Sequence, residues 1–459
     1  MARPSPRRLT VAALYTLVFV LLAVAATWLS VRITPMQTVS AAGQTMRVGV
    51  MPPQLNLSGP GELVLFGQKI PTEPRFDGPI RPRLVLAHIT PGHEVAELLK
   101  SGDHGKLTLA VGHRLTSGWV RYALWETAVA AGVVLVVSTA ATGVRRMPPR
   151  RTVGVLAAGL AMVCVVNLVG FGLLASGTLR VLGHVHSLDD LVGHSPLTPV
   201  PAAVGPPLGH VQVVVLGDST AAGTGNRPLP NPSALDTACA RSADSYAQAL
   251  AKANRWDVLN LACSGATVRD GILGVQIVGD RVAPPQLAQA QRASKAAAVI
   301  VSIGANDVRW ADLTRLCIAA KVCDDRATNA SFRGWLARFT LDYRTLLRQL
   351  STLPQHQTVL INAYYDPFGP DIGCLKREGL TKDKTEVLRA RLGSLNTVLR
   401  EGAEAAGFPF ARPHFTGHEL CSSQPYVQGP ADKAPLHPTA AGELAIALAD
   451  QRFLSHVPG

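Results

Sequence analysis

The stretch "VQVVVLGDSTAAG", residues 211–223, joins an apolar, β-branched run to Gly-Asp-Ser-Thr and then to small residues. Such a run is typical of a buried strand, and the polar residues behind it mark a turn into a helix. One interpretation is that Asp218 or Ser219 only caps that helix. The other is that Ser219 is a nucleophile, because open α/β sheets place their ligands at the carboxyl ends of parallel strands.

Apolar strands alternate with Ala-, Leu- and Arg-rich helical stretches along the C-terminal half of the chain. This order predicts an α/β domain over residues 210–459, with a parallel sheet covered by helices on both faces. The predicted strands are residues 211–216, 257–261, 298–303 and 358–362. The predicted helices are residues 245–253, 286–295, 332–353, 385–406 and 440–453.

Three further motifs follow strands or precede the last helix. They are "VLNLACSGAT" (258–267), "VIVSIGANDV" (299–308) and "APLHPTAAGELAIALAD" (434–450). The first carries Gly265, the second carries Asn306, and the third places His437 directly before an apolar helix. Each motif alone also fits an ordinary turn, helix cap or loop. Because parallel strands align their carboxyl ends, we expect the motifs to meet Ser219 at one edge of the sheet.

The order Gly-Asp-Ser, Gly, Gly-x-Asn-Asp and His-Pro resembles the SGNH/GDSL hydrolase superfamily over roughly residues 210–455. The segments "TACARS", "NLACSGAT" and "CIAAKVC" resemble more narrowly its disulfide-containing secreted actinobacterial esterases and lipases. The resemblance implies a three-layer, flavodoxin-like α/β domain. It also implies a carboxylic ester hydrolase that uses no cofactor and no metal.

The resemblance implies a role for each of the four positions. Ser219 attacks an ester carbonyl after His437 accepts the hydroxyl proton. The backbone N–H groups of Ser219 and Gly265 and the side-chain amide of Asn306 form the oxyanion hole. Glycine suits position 265, because a side chain there would crowd the oxyanion or forbid the turn.

The chain departs from the family pattern at one position. The pattern has an aspartate three residues before the histidine, where this chain has Ala434. Asp432, five residues before His437, is one candidate to orient the imidazole ring. A backbone carbonyl of residues 434–436 is the other, as in some esterases that this domain resembles, and it is the one we favour.

Two loops are predicted to form the rim of the cleft, "YYDPFGPDIG" (364–373) and "GTGNRPLPNPSALD" (223–236). Function is commonly carried by such loops over a rigid sheet. We interpret Asp218 and Asp307 as structural supports of their own loops.

The seven cysteines are unevenly distributed. Cys164 lies in an apolar run and is interpreted as a small apolar filler. The other six lie in the C-terminal domain, and their even number predicts three disulfides in an oxidising compartment. The resemblance implies the pairs Cys239–Cys263, Cys317–Cys323 and Cys374–Cys421. The chain has no Cys-x-x-Cys and no histidine at ligand spacing, so a zinc site is not predicted.

Hydrophobic residues make up 47% of the 459 residues and charged residues only 16%. Three apolar runs predict transmembrane helices. They are residues 9–31, 121–144 and 152–176. Arginines in residues 1–8 and 145–151 favour the cytoplasmic side for both segments, so residues 32–120 and 177–459 are expected outside. A cleaved signal peptide is the alternative for the first run, and it leaves the outside placement unchanged.

One segment joins the first two runs, and another joins the third run to the C-terminal domain. Residues 32–120 contain "GELVLFG", "RLVLAHIT" and "KLTLAVG", which predict a small β-rich extracytoplasmic module without a recognisable catalytic constellation. Residues 177–209 form a linker that ends in the Pro-rich stretch "HSPLTPVPAAVGPPLG".

The net charge of +13 does not indicate nucleic acid as a partner. Much of it comes from arginines next to the predicted membrane spans, and no basic stripe with interleaved aromatic residues is present. The membrane and an acyl-ester substrate are the predicted partners.

The sequence therefore favours a multi-pass plasma-membrane protein with an extracytoplasmic serine esterase domain. Its ester would be that of an envelope lipid, an envelope glycan or a small molecule. One alternative is an O-acyltransferase that acts on an envelope glycan or lipid through the same acyl-enzyme. The other is a non-catalytic envelope-binding scaffold.

Overall fold

The computed structural model describes residues 6–41, 44–54, 56, 58–89, 104–182, 197, 200–201, 203–354, 356–455 and 457. The chain divides into two compact units. The first comprises Met1–Leu65 and Lys69–Ser195, and the second comprises Phe66–Gln68 and Pro196–Gly459.

Three long helices run through the first unit. They are α1 (Pro6–Ile33), α2 (His104–Val144) and α3 (Pro149–Leu182). Each contains a segment long and apolar enough to cross a membrane, namely Ala13–Ile33, Arg114–Val144 and Pro149–Ala175. Large apolar side chains such as Leu14, Val136 and Leu168 are more than half exposed. Helices that are apolar on their outer as well as their inner faces are typical of membrane spans.

A polar cluster, formed by Thr27, Ser30, Glu126, Thr127 and Asn167, lies between these three helices. The Ser30 hydroxyl and the Asn167 amide donate to different oxygens of the buried Glu126 carboxyl group, the amide over 2.7 Å. The same amide donates to Thr127 over 3.0 Å, and its oxygen accepts from Thr27 over 2.9 Å. Because every helix contributes a member, the cluster holds the three helices in one register.

A mixed five-stranded sheet follows α1. Its strands are β1 (Gln37–Ala41), β2 (Gln44–Val50), β3 (Ser58–Leu65), β4 (Gln68–Asp77) and β5 (Pro82–Ile89). Their order is β1-β2-β5-β3-β4, with β3 parallel to β5. Residues along β3 alternate between buried and partly buried, as expected for a strand with one covered face. The predicted β-rich module is therefore present, and "GELVLFG" and "RLVLAHIT" lie within or overlap its strands.

Two details of the sequence prediction differ from the structure. The stretch "KLTLAVG" (106–112), expected as a strand, belongs to α2. A short apolar run fits both periods, and no proline separates this one from the apolar helix behind it, so the helix continues through it. Residues 177–182 of the predicted linker likewise belong to α3, while most of the remaining linker up to residue 202 lies outside the described residues.

The second unit is built on a parallel sheet. The strands of this unit are β6 (Val213–Gly217), β7 (Val258–Asn260), β8 (Gln276–Val278), β9 (Arg281–Ala283), β10 (Ala298–Ser302), β11 (Thr358–Asn362) and β12 (Phe410–Ala411). Five of them pair in parallel in the order β12-β11-β10-β6-β7, while β8 and β9 form a separate antiparallel hairpin. In chain order the parallel sheet is 2-1-3-4-5, the flavodoxin-like arrangement. Every residue of β6 and β10 is buried, so both faces of the sheet are covered.

Eight α-helices are described in this unit. They are α4 (Ser219–Ala222), α5 (Ala234–Ala238), α6 (Tyr246–Asn254), α7 (Gln286–Ala290), α8 (Trp310–Ala319), α9 (Arg326–Leu350), α10 (Lys382–Ala406) and α11 (Ala440–Gln451). α6 packs against α11, where the Tyr246 N–H donates to the buried Glu443 carboxyl group over 2.8 Å. α8 and α9 pack against α10, and the Tyr343 hydroxyl of α9 donates to the Leu399 carbonyl over 3.0 Å.

The predicted α/β class is confirmed, and the predicted strands and helices are present with shifted ends. The largest shift is at α9, which begins at Arg326 because Asp325 caps it by accepting two backbone N–H groups. The predicted helix 286–295 is α7 followed by a 3₁₀ turn, Gln291–Ala293. Sequence analysis missed α8, the β8–β9 hairpin and β12, which has two residues and is too short to show a period.

Candidate active site

Ser219 is the first residue of α4, the short helix that follows β6. Asp218 is the N-cap, because its side chain accepts the Thr220 N–H over 2.9 Å. Gly217 allows the close approach of β6 to β10, since a Cβ there would overlap the Ser302 carbonyl. The cap is therefore Asp218, and the Ser219 side chain lines a cavity at the carboxyl end of the sheet.

His437 lies in the loop before α11, and its Nε2 is 2.8 Å from Ser219 Oγ. The Pro435 carbonyl oxygen is 3.1 Å from Nδ1. Because a carbonyl can only accept, Nδ1 carries the proton and Nε2 is free to accept from the serine hydroxyl. The exposed Asp432 carboxylate instead accepts the Gly429 N–H over 2.7 Å. The structure thus places the Pro435 carbonyl beside the ring, and not Asp432.

Gln428 and Tyr365 stabilise the loop that presents the imidazole. The Gln428 side chain donates to the Pro438 carbonyl over 2.9 Å and accepts the Ala434 N–H over 3.2 Å. The Tyr365 hydroxyl donates to the Leu436 carbonyl over 2.7 Å. Leu436 has a φ of 69°, a conformation that residues with a side chain rarely adopt. These hydrogen bonds offset that strain and fix the turn before the histidine.

The three expected oxyanion donors, on Ser219, Gly265 and Asn306, line the same cavity. In the part of the chain that the structure describes, the N–H groups of Ser219 and Gly265 have no acceptor. Asn306 Nδ2 donates one hydrogen to the Ala266 carbonyl over 2.9 Å and keeps a second for the cavity. Gly265 has a φ of 82°, and a Cβ there would come no nearer than 3.6 Å to Gln276. Backbone conformation therefore requires this glycine, rather than crowding by neighbouring protein atoms.

Two aspartates, the buried Asp218 and the partly buried Asp307, connect the loops around the cavity. Asp307 accepts the Val268 N–H over 3.0 Å. Asp218 accepts from the Tyr364 hydroxyl, and that hydroxyl in turn accepts the Ala305 N–H over 3.0 Å. Tyr364 thus bridges the Ser219 loop and the Asn306 loop. Both aspartates hold loops, as their structural interpretation predicts.

Burial shifts the pKa of three groups at the site. It lowers the pKa of His437 below the usual value, so the imidazole is neutral and able to accept a proton at neutral pH. It raises the pKa of Asp218 to about 6 and that of Asp307 to about 8, although hydrogen bonds act in the opposite direction. Burial thus favours the protonated form of both carboxyl groups.

The cavity beside Ser219 has a volume of about 240 Å³. Its apolar wall comes from Trp310 of α8 and from Leu392 and Leu395 of α10. The predicted rim 364–373 contributes two tyrosines and a proline to the lining. Within the described chain, no residue of the other predicted rim, 223–236, lines this cavity.

Three disulfides are formed, in the pairs that the resemblance implies. They are Cys239–Cys263, Cys317–Cys323 and Cys374–Cys421. The first stabilises the Gly265 loop directly, because the Cys239 carbonyl accepts the N–H of Ser264, the residue before Gly265, over 3.0 Å. Cys164 is free and exposed on the apolar helix α3.

Sequence analysis missed the roles of Tyr364, Tyr365, Gln428 and Trp310. A signal existed for the tyrosines, since they follow β11 directly at the edge where the motifs meet. Trp310 opens a helix that was not predicted. Gln428 lies in an irregular segment and has no local signal in the sequence.

A family model described as the GDSL-like Lipase/Acylhydrolase family matches residues 215–445, just over half of the chain. Lipase 1 of Streptomyces coelicolor is 29% identical over 273 residues, which cover 58% of this chain and 94% of that protein. A lipase of Streptomyces rimosus is 28% identical over 256 residues, covering 53% and 86%. Among solved structures, the extracellular lipase from Streptomyces rimosus is 24% identical, covers 54% of this chain and 99% of its own, and has a TM-score of 0.42.

Proposed function

Because this chain belongs to the GDSL-like lipase and acylhydrolase family, we propose that it is a membrane-anchored serine esterase whose hydrolase domain faces away from the cytoplasm. The observation that carries the proposal is the 2.8 Å contact between Ser219 Oγ and His437 Nε2 beside a cavity. A nucleophile and a base at this distance, with the base oriented by a third group, are the parts that covalent acyl transfer needs.

In the acylation step, Ser219 Oγ attacks the carbonyl carbon of the ester while His437 Nε2 takes the hydroxyl proton. The imidazolium then gives that proton to the alkoxide that leaves, so an alcohol departs and the acyl group stays on the serine. The Pro435 carbonyl accepts from Nδ1 throughout and keeps the ring in the required tautomer.

In the deacylation step, water attacks the acyl-serine while His437 accepts its proton and returns it to Ser219 Oγ. Both steps pass through a tetrahedral oxyanion. The N–H groups of Ser219 and Gly265 and the Asn306 amide line the cavity in which that oxygen would develop. Preformed donors of this kind stabilise the transition state without reorganisation.

The size of the cavity supports a short or medium acyl group. Its volume is about 240 Å³. Trp310, Leu392 and Leu395 give it an apolar wall suited to an alkyl chain.

The membrane placement is supported by the three apolar helices and by the distribution of arginines. Arg145, Arg146, Arg150 and Arg151 lie between or at the facing ends of the second and third helices, and short basic loops favour the cytoplasmic side. Three disulfides in the hydrolase domain support the opposite, oxidising side for that domain.

The test is hydrolysis of p-nitrophenyl acetate and p-nitrophenyl butyrate by the purified full chain. Ser219→Ala and His437→Ala should each lower kcat by at least about 10³-fold, because each removes one half of the nucleophilic pair. Ser294→Ala, an exposed serine away from the cavity, is the matched control and should keep full activity. Undiminished turnover by the Ser219→Ala protein would refute the proposal.

Product analysis in the presence of glycerol separates hydrolysis from acyl transfer. Hydrolysis releases free acid even with glycerol in excess, which is the result we expect. Acylated glycerol as the main product would assign the same serine and histidine to an O-acyltransferase.

A further inference from the structure

A second cavity, of about 290 Å³, lies in the β-rich module of the first unit. It is lined by residues of β3 and β4 and by residues next to the strands, which include Met51 and Arg81. Nothing in the ester-hydrolase mechanism uses this cavity. Its chemistry is dominated by Arg81, a cation in a buried position.

Arg81 is 3% exposed, yet its guanidinium is poorly satisfied. Within the described residues, its one hydrogen bond runs from Nη2 to the Asn56 carbonyl over 3.3 Å, and Nε has no partner. No carboxylate among the described residues pairs with it. Arginine stays charged at any physiological pH, and a buried charge without a counter-ion is strongly unfavourable. An anion in the cavity would supply the missing partner.

The walls of the cavity favour the same ligand. Lys69 and Arg75 also line it, are exposed, and make no ion pair with a described residue. The single acidic residue of the lining, Glu62, is already neutralised by the Arg83 guanidinium, 2.5 Å away. Three cationic side chains that form no ion pair with a described residue therefore line one cavity.

Gly59 makes room for the guanidinium. A Cβ at this position would overlap Arg81 Nη1 and Cζ. The backbone of Gly59 needs no positive φ, so space for the guanidinium, and not the fold of the strand, explains the glycine.

The cavity lies next to one end of the helix bundle. Val50 and Ile80, the residues directly before Met51 and Arg81, form an apolar cluster with the helices. Their partners in that cluster are Val31 of α1, Tyr122 of α2, and Leu174 and Phe171 of α3. Val31 and Leu174 lie within two residues of the ends of their candidate spans.

We propose that this cavity binds the phosphate of an anionic lipid headgroup, with the Arg81 guanidinium as its main ligand. The guanidinium offers several donors in a fixed plane, which match phosphate oxygens, and Lys69 and Arg75 add charge at the rim. The position at the ends of the spans places the phosphate at headgroup depth. The inference rests on the membrane placement proposed above and is independent of ester hydrolysis.

The test uses the full chain carrying Ser219→Ala, purified in dodecyl maltoside, so that no ester is turned over. Thermal unfolding is followed while dihexanoyl phosphatidylglycerol, dihexanoyl phosphatidylcholine or inorganic phosphate is added. Phosphatidylglycerol should raise the unfolding midpoint saturably. Phosphatidylcholine and inorganic phosphate should need much higher concentrations to produce the same rise. Equal responses to phosphatidylglycerol and inorganic phosphate would overturn the lipid assignment.

Variants then locate the site. Arg81→Gln should weaken the phosphatidylglycerol response by at least about tenfold, because it removes charge-assisted hydrogen bonds. Gly59→Ala should weaken it too, by displacing a flexible guanidinium from its position. Arg47→Gln removes the same charge from an exposed position on β2 outside the cavity and is the control. Unchanged binding by both Arg81→Gln and Gly59→Ala would overturn the site.

A parallel esterase assay keeps the two proposals apart. The Arg81→Gln chain with Ser219 restored should hydrolyse p-nitrophenyl acetate at the wild-type rate. Loss of lipid binding with normal turnover supports the cavity and leaves the hydrolase site intact. Normal turnover by the wild-type chain, together with no response of the Ser219→Ala chain to phosphatidylglycerol, would reject this inference and leave the proposed esterase function standing.

Discussion

The hydroxyl of Tyr364 makes two hydrogen bonds in opposite directions. It donates to the buried Asp218 and accepts from the Ala305 N–H. One side chain therefore determines the separation of the Ser219 loop from the Asn306 loop. Under the proposed mechanism the position of both loops matters, because oxyanion donors act only at hydrogen-bond distance.

Tyr364→Phe should lower kcat for p-nitrophenyl acetate by about tenfold and change KM little. The variant leaves the Asp218 carboxyl group and the Ala305 N–H without their shared partner, which costs about 1–3 kcal/mol for a buried group. Tyr343→Phe is the matched control, since Tyr343 is also buried and loses a single hydrogen bond, to the Leu399 carbonyl, away from the cavity. Equal kcat values for the two variants would contradict the positioning role of Tyr364.

Asp432→Asn should leave kcat/KM within about twofold of the wild-type value at every pH, as for an exposed substitution away from the reacting atoms. The acid limb of the profile follows His437, whose pKa burial lowers, so activity should be lost only as the pH falls below the usual histidine range. If Asp432 oriented the ring, removing its charge would shift that limb to lower pH. Such a shift, measured from pH 4 to 8, would restore Asp432 as the orienting residue.

At the scale of elements, the two units use different devices to hold their parts together. The hydrolase domain closes its loops with three disulfides and with hydrogen bonds between strand ends. The helices of the first unit have no such cross-link among the described residues. Their register depends instead on the polar cluster around Glu126, whose hydrogen bonds link the helices to one another.

Glu126→Leu should lower the thermal unfolding midpoint of the full chain in detergent. The substitution leaves the Ser30 hydroxyl and the Asn167 amide without their acceptor, at a cost of about 1–3 kcal/mol. Glu126→Gln keeps one side-chain oxygen as an acceptor and should fall between Glu126→Leu and wild type. Leu168→Ala, on the exposed surface of α3, is the control. If Glu126→Leu lowered the unfolding midpoint no more than Leu168→Ala does, the cluster would add no stability.

At the scale of the whole molecule, the hydrolase domain buries several carboxyl groups completely. Glu443 and Asp450 are completely buried on α11, and each has one oxygen without a partner among the described residues. Burial raises the pKa of Asp450 to about 8 and that of Glu443 well above its usual value. The folded state therefore holds protons that the unfolded chain has already released at neutral pH.

This proton binding predicts how stability changes with pH. A carboxyl group with a raised pKa in the folded state contributes stability that is complete below its unfolded pKa, near 4. The contribution is lost as the pH rises to the folded value, near 8 for Asp450. Each such group makes a slope of up to about 1.4 kcal/mol per pH unit within that window.

Asp450→Asn should flatten the pH dependence of the unfolding midpoint between pH 5 and 8, relative to wild type. Asparagine keeps an oxygen for the Asn362 amide, which donates to Asp450 over 3.1 Å, but it cannot titrate. Differential scanning calorimetry at fixed pH values measures the effect. Parallel curves for the two proteins would mean that Asp450 titrates alike in the folded and unfolded states.

Local pattern was enough to predict the α/β class, the strands and the four motif positions. Strand periodicity, turn residues and apolar length depend on neighbours in the chain, which a reader of the sequence can see. The number of disulfides and the three apolar spans follow from composition in the same way. The same reasoning misplaced "KLTLAVG", because a short apolar run does not distinguish helix from strand.

Tertiary structure alone decided which groups meet. Pro435 and Asp432 were both in reach of His437 along the chain, and only the turn held by Gln428 brings the carbonyl to the ring. The Tyr364 bridge joins two loops that are far apart in the sequence. The fold also decides that the Arg81 guanidinium is buried with its Nε lacking a partner among the described residues. Sequence determines local conformation through near neighbours, whereas hydrogen bonding and charge pairing depend on distances that exist only after the chain has folded.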